Sequence, residues 1–157
     1  MADPRWLRAD EQCTWRAFLD ATRRLWDQLD HELQRDAGMP LAYYQMLVML
    51  SEAPNRTLRM SELAAQTSSS RSRLSHAVGR LEEKGWVRRV SCPIDKRGAF
   101  AELTDHGLAV LQAAAPSHVN SVRRYVFDPL DATQLAALRE ISQAIRSGLG
   151  TAATCDH

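Results

Sequence analysis

Along residues 10–36, Trp15, Phe18, Leu19, Thr22, Leu25, Trp26, Leu29 and Leu33 recur at alternating steps of three and four. That spacing is the period of one helix face, and no Gly or Pro interrupts it before Gly38 and Pro40. The stripe carries two tryptophans and is wide for a helix that covers a small domain once. The next segment, Leu41 to Glu52, is apolar nearly all round (Tyr44, Met46, Leu47, Val48, Met49, Leu50), which predicts a buried helix broken by Ala53-Pro54-Asn55-Arg56.

The elements then become short. A strand at 57–59 leads into a helix at 60–66, a turn Thr67-Ser68-Ser69 and a helix over 70–84. Gly85, which tolerates positive φ, stops that helix. Two strands, 86–90 and 99–103, flank the loop Cys92-Pro93-Ile94-Asp95-Lys96-Arg97-Gly98. Thr104 is placed to cap a further helix, with Gly107 near its start, that meets Pro116 and resumes to Phe127. After the linker Asp128-Pro129-Leu130-Asp131, an amphipathic helix over 132–147 is carried by Leu135, Leu138, Ile141 and Ile145, and the small, polar tail 148–157 is expected to fray.

Helix, turn, helix and hairpin in that order predict a winged helix-turn-helix. The expected fold is mainly α with a small β-hairpin wing, flanked by long helices. It divides into a first helix (10–38), the winged module (41–103), further helices (104–147) and the tail. The flanking stripes have no evident partner in so small a module, so a two-fold homodimer joined through both ends is expected.

On a wheel of about 100° per residue, Leu74, Ala77, Val78 and Leu81 of the helix 70–84 share one face. The opposite arc holds Ser72, Arg73, Ser75, His76, Gly79 and Arg80, with no acid before Glu82. Glu, Lys and Ala make better helices than Ser, His and Gly, so a merely solvated face would be composed differently. The arc suits a major groove, where Arg73 can donate twice to guanine and Ser or His can reach other edges. Ser70 stands where an N-cap would, and beside Arg71 its first amide groups would face phosphate. In the loop, Arg97 suits a narrow minor groove, Lys96 adds charge, and Asp95 can orient the Arg97 guanidinium.

Charge supports this reading. Residues 71–97 carry eight basic side chains (Arg71, Arg73, Arg80, Lys84, Arg88, Arg89, Lys96, Arg97) against Glu82, Glu83 and Asp95, in a chain whose net charge is only +1. Phosphate attraction needs local positive charge rather than a basic protein. The other bulk properties change little. At 157 residues and 45% hydrophobic the chain is one globular domain or one module with helical extensions. It has no 18-residue apolar run and no signal-peptide core, so no membrane association is expected. Cys13, Cys92 and Cys155 are odd in number and far apart, which argues for a reducing cytoplasm.

Ser61-Glu62-Leu63-Ala64, Ser70-Arg71-Ser72-Arg73-Leu74-Ser75, Leu81-Glu82-Glu83-Lys84-Gly85-Trp86-Val87, Asp95-Lys96-Arg97-Gly98 and Leu103-Thr104-Asp105-His106-Gly107 together resemble the MarR family of bacterial transcriptional regulators. The resemblance spans roughly residues 10–147. It implies a homodimer joined through its first and last helices, a recognition helix in each of two major grooves and a palindromic operator. It also implies release by small ligands bound between the helical region and the winged module. The turn Thr67-Ser68-Ser69 departs from the apolar, glycine-containing turn usual in the family.

Other chemistry is weaker. Peroxide-sensing relatives carry a reactive cysteine on the first helix, but the matching position falls nearer Arg16 than Cys13. Asp10, Glu11 and Asp20 disfavour a thiolate at Cys13, which reads as an ordinary, partly buried thiol. Cys92 has no resolving partner in sequence. No closed metal-site spacing is present. Zinc-sensing relatives gather ligands from separate helices, which leaves His31, Glu32, His106 and His118 as candidate ligands, with no cofactor or metal assigned. Ser68, Ser69, Ser70 and His76 lack a nucleophile elbow and an acid partner, so no enzyme is expected. The leading reading is a ligand-responsive DNA-binding repressor. A redox- or metal-responsive variant of it is the alternative, and a winged-helix protein-interaction module would carry an acidic or apolar recognition helix instead.

Overall fold

In the computed structural model, residues 4–67, 69–91 and 99–150 are described. Contacts divide the chain into a first unit through His118 and a second from Val119 onward. Within the first unit, α1 (Ala9–Ala37) is followed by α2 (Leu41–Glu52) and a short 3₁₀ turn (Pro54–Arg56). Then come β1 (Thr57–Arg59), α3 (Met60–Gln66), α4 (Arg71–Glu83), β2 (Val87–Ser91) and β3 (Ala99–Leu103). The boundary falls inside α5 (Asp105–Val122), and the second unit holds a π-helical turn (Arg123–Phe127) and α6 (Ala132–Gly148).

The helix ends follow from local chemistry. Glu11 reaches back to accept the Arg8 amide at 2.8 Å, and Gly38, with φ of 63°, ends α1 by donating its N–H to the Gln34 carbonyl at 3.0 Å. The Pro40 preceding α2 has no side-chain acceptor, so Asp30 supplies one from α1 and takes the Leu41 amide at 2.7 Å. A carboxylate there also meets the positive end of the α2 dipole. At α6 Asp131 and Gln134 bond each other's backbone amides, at 2.8 Å and 3.0 Å.

The core of the first unit lies where α2, α3 and α4 close on the sheet. Leu47, Leu50, Leu63, Val78, Leu81 and Ala101 are at or near zero exposure. Each large apolar side chain fully buried there contributes roughly 1.5–3 kcal/mol. Of the residues that predicted a buried α2, Tyr44, Met46, Leu47 and Leu50 are buried, as is Leu41, while Val48 and Met49 are half-buried. The sheet has an additional member. β1 pairs antiparallel with β3, opposite β2, in the order β1-β3-β2. β2 starts at Val87 rather than residue 86, because the Trp86 amide still donates to the Leu81 carbonyl at the end of α4, at 3.0 Å.

The junction of β3 and α5 explains the Leu103-Thr104-Asp105-His106-Gly107 run. The Thr104 hydroxyl donates to the Gly85 carbonyl at 2.7 Å and accepts the Gly107 amide at 2.9 Å. A Cβ on Gly107 would lie 2.0 Å from the Trp86 carbonyl oxygen, so the helix start packs directly on backbone. α5 departs from its predicted interruption: it passes through Pro116, whose ring lies on an exposed position, and remains helical to Val122. The irregularity comes later, where Asp128 donates to the Arg123 carbonyl across a wide turn at 2.8 Å.

Candidate nucleic-acid interface

α4 packs against α3 and β2 through Leu74, Val78 and Leu81, all buried, with Ala77 half-buried beside them. The opposite arc is open. Ser72, Arg73, Ser75, His76 and Arg80 are exposed and Gly79 is half-buried, so the predicted face is on the surface. The helix begins with Ser70 as N-cap, its hydroxyl accepting the Arg73 amide at 3.3 Å, and its first turn contains no acid. Ser70 and Arg71 are exposed at that positive helix end, where an anion is favoured.

The basic residues are not equivalent. No carboxylate among the described residues pairs with Arg71 or Arg73. Arg80 is paired with Glu83 at 2.9 Å, which holds the guanidinium above its ordinary value, but both side chains are well exposed and water screens the pair. Arg88 points to the outer sheet face and binds Glu102 with two hydrogen bonds, at 2.7 Å and 2.9 Å, holding that carboxyl below its ordinary range. Lys84 lies over the Trp86 ring at 4.9 Å. The local surplus in sequence is therefore partly consumed within the protein.

Arg89, the next residue on β2, turns the other way. It spans a shallow depression of about 350 Å³ lined by Ser75, His76, Gly79, Arg80, Glu83 and Arg89. Its Nη2 donates to the Ser75 carbonyl at 2.6 Å and to the Ser75 hydroxyl at 3.2 Å. Its Nε lies 3.3 Å from Glu82, whose other oxygen accepts the Arg89 amide at 2.8 Å. Counting charges along the sequence did not distinguish Arg88 from Arg89. The alternation of a strand would have, since adjacent residues face opposite sides.

The loop with Asp95, Lys96 and Arg97 lies outside the described residues, as does Cys92. The sensing candidates are scattered. Cys13 is exposed, not partly buried as the sequence suggested, because the first half of α1 has no covering element within the first unit. Glu32 is buried and accepts the Gln28 amide at 2.9 Å, while His31 and His106 are exposed. The His118 ring lies 4.4 Å from the Tyr44 ring, tilted by 46°, and its buried Nδ1 has no hydrogen-bond partner among the described residues. Burial holds its imidazole below the ordinary value and pushes the Tyr44 phenol up. Among the described residues no group of three His, Cys, Asp or Glu side chains is placed to hold a metal ion. No described helix is long and apolar enough to cross a membrane.

Comparison with known proteins agrees with this architecture. A model of the MarR family matches residues 37–98. The crystal structure of Sco3205, a MarR family transcriptional regulator from Streptomyces coelicolor in complex with DNA, is 55% identical. It superposes with a TM-score of 0.90 over 96% of this chain and 94% of that one. AbsC, a MarR family regulator of the same organism, is 44% identical, with a TM-score of 0.87 over 93% and 98% of the two chains. The transcriptional repressor MprA of Escherichia coli is 24% identical over 119 residues, 76% of this chain and 67% of that protein. With winged module, sheet order and near-complete superposition on a relative more than half identical, the chain belongs to the MarR family of transcriptional regulators, which are not enzymes.

Proposed function

We propose that the protein is a homodimeric repressor that binds a palindromic double-stranded DNA operator through α4 and the wing, and is released by a small-molecule effector. The observation that carries the reading is the exposed arc of α4, where Ser72, Arg73, Ser75, His76 and Arg80 stand outward on a helix whose N-terminus holds Ser70 and Arg71 and no acid. Arg73 sits at the centre of the arc with no carboxylate partner among the described residues, so its five donors remain for a guanine edge. Arg71 and the Ser70 cap serve phosphate, which sets register and not sequence. In this reading Arg97 serves the adjacent minor groove with Asp95 to orient it, and Lys96 adds positive charge. Sco3205 was crystallised with DNA, and MprA is described as a repressor, which supports the DNA and repression parts of the proposal.

The apolar faces of α1 and α6 support a dimer, and two copies bring two recognition helices to one operator. The domain roles follow: 10–38 and 104–147 join the protomers, 41–103 reads DNA, and the protein works in the cytoplasm. The test is a titration of DNA flanking its own gene against random duplex of equal length, at several salt concentrations. Tighter binding to the flanking DNA, persisting as salt rises, is the expected result. Equal affinity for both, vanishing with salt, would reduce the protein to a nonspecific binder.

A further inference from the structure

Among the described residues, Arg89 is the cation that reaches across from β2 and touches a side chain of the outward arc of α4. We infer that Arg89 is a positioning residue that biases the Ser75 hydroxyl toward donating a hydrogen bond to DNA, and so sets a base preference it does not itself contact. The inference rests on the reading of α4 as the recognition helix. A serine hydroxyl is ordinarily ambiguous, since it can donate one hydrogen bond and accept two. Here Nη2 of Arg89 donates to it at 3.2 Å, so one lone pair is occupied and a full positive charge stands beside the oxygen. A base amino group, itself a positive donor, is repelled from that side. With that side occupied, donation to an outward acceptor is the favoured use of the hydroxyl proton.

The tie is built to hold Arg89 still. The same Nη2 donates to the Ser75 carbonyl at 2.6 Å, and Glu82 grips the residue twice, at its amide (2.8 Å) and at Nε (3.3 Å). Both charged side chains are well over half withdrawn from water, at 39% and 31% exposure, so the pair is less screened than Arg80 with Glu83. Gly79 lies one turn beyond Ser75, and a Cβ there would stand at ordinary van der Waals distance from Arg89 Nη2, 3.9 Å, so the tie does not depend on the glycine.

At the base pair facing Ser75, the preference is thus for an edge presenting an acceptor (guanine O6 or N7, adenine N7, thymine O4) over the cytosine amino group. The test titrates wild type, Ser75→Ala, Arg89→Ala, Arg89→Lys and the double Ser75→Ala/Arg89→Ala variant against the operator and a set of single-base-pair substitutions. NMR of the DNA-free proteins follows the Arg89 guanidinium. Ser75→Ala and Arg89→Ala should each erase about tenfold of discrimination at the same base pair, with the double variant losing no more than either alone. Arg89→Lys should not restore it, because a single ammonium cannot span Glu82 and Ser75 together. Full retention in Arg89→Lys, additive losses, or an equal loss on specific and random DNA would make Arg89 a phosphate contact and overturn the inference. A guanidinium that gives no ordered signal in the free protein would overturn it too. An ordered guanidinium in a wild type that prefers no DNA sequence would instead overturn the assignment of α4 as a reading helix, and this inference with it.

Discussion

Two side chains of one type, Arg73 and Arg80, stand on the same exposed arc, yet their surroundings assign them different work. Arg80 has Glu83 at 2.9 Å and must exchange one partner for another on binding. Arg73 has no such competitor among the described residues, and bidentate recognition of guanine is worth about 1–3 kcal/mol. Arg73→Ala should therefore weaken operator binding by that amount and relax the preference at one base pair per half-site. Measured on specific and random duplexes side by side, an equal loss on both would reassign Arg73 to phosphate. His118 makes a prediction in stability. Burial holds its folded-state pKa below the ordinary 6.5, so the unfolded chain binds the proton more readily. Its penalty is absent above that value and grows as pH falls through 6.5 toward the folded pKa. The unfolding temperature should drop over this window in the wild type, and His118→Phe should flatten that part of the profile. A profile unchanged by the substitution would mean that His118 is solvated in the free protein.

At the level of elements, the same mutation has opposite signs at two glycines. Gly79→Ala adds a methyl with ordinary contact at 3.9 Å and removes a helix-interior glycine, so stability should rise by about 0.5–1 kcal/mol. Gly107→Ala drives a methyl to 2.0 Å from the Trp86 carbonyl oxygen, which no rotamer relieves. It should cost about 3 kcal/mol or more, because α5 must lift off the β2 root. Denaturant melts of both variants check this, and comparable stabilities would contradict the packing at the junction. These elements differ in how legible they were. α2 was readable because its apolar residues run nearly all round, which only a buried helix tolerates. The exposed arc of α4 was readable because its period is that of a helix and its buried row is unbroken. The pairing of β1 with β3 was not, since three residues carry no period that names a partner 41 or more positions away. Pro116 misled because its effect depends on which side of the helix the ring faces, and that is set by packing. The Arg89 tie lay hidden for a similar reason: Glu82 and Arg89 are brought together by the reversal at Gly85, whose φ is 70°.

For the whole molecule, the question is what covers the apolar surface. Along α1, Trp15 and Trp26 are 50% and 47% exposed, with Phe18 and Leu19 similar. Along α6 no residue is buried, and Ile141 and Ile145 are 55% and 44% exposed although the helix is clearly amphipathic. Monomeric proteins rarely leave contiguous apolar surface of more than a few hundred Å² in water, so each of these faces calls for a partner. A second copy is the economical one, because two-fold symmetry presents the same stripe from both sides and also supplies the second recognition helix. Two such helices on one face of a duplex meet successive major grooves ~34 Å apart. The expected operator therefore has two half-sites one helical turn apart, and inserting half a turn between them should abolish tight binding. Ile141→Glu places a charge in the proposed seam. It should shift the protein toward monomer in light scattering at micromolar concentration, and binding should fall to that of one half-site. A wild type that is already monomeric there, and holds a single half-site at full affinity, would show that the stripes serve another purpose.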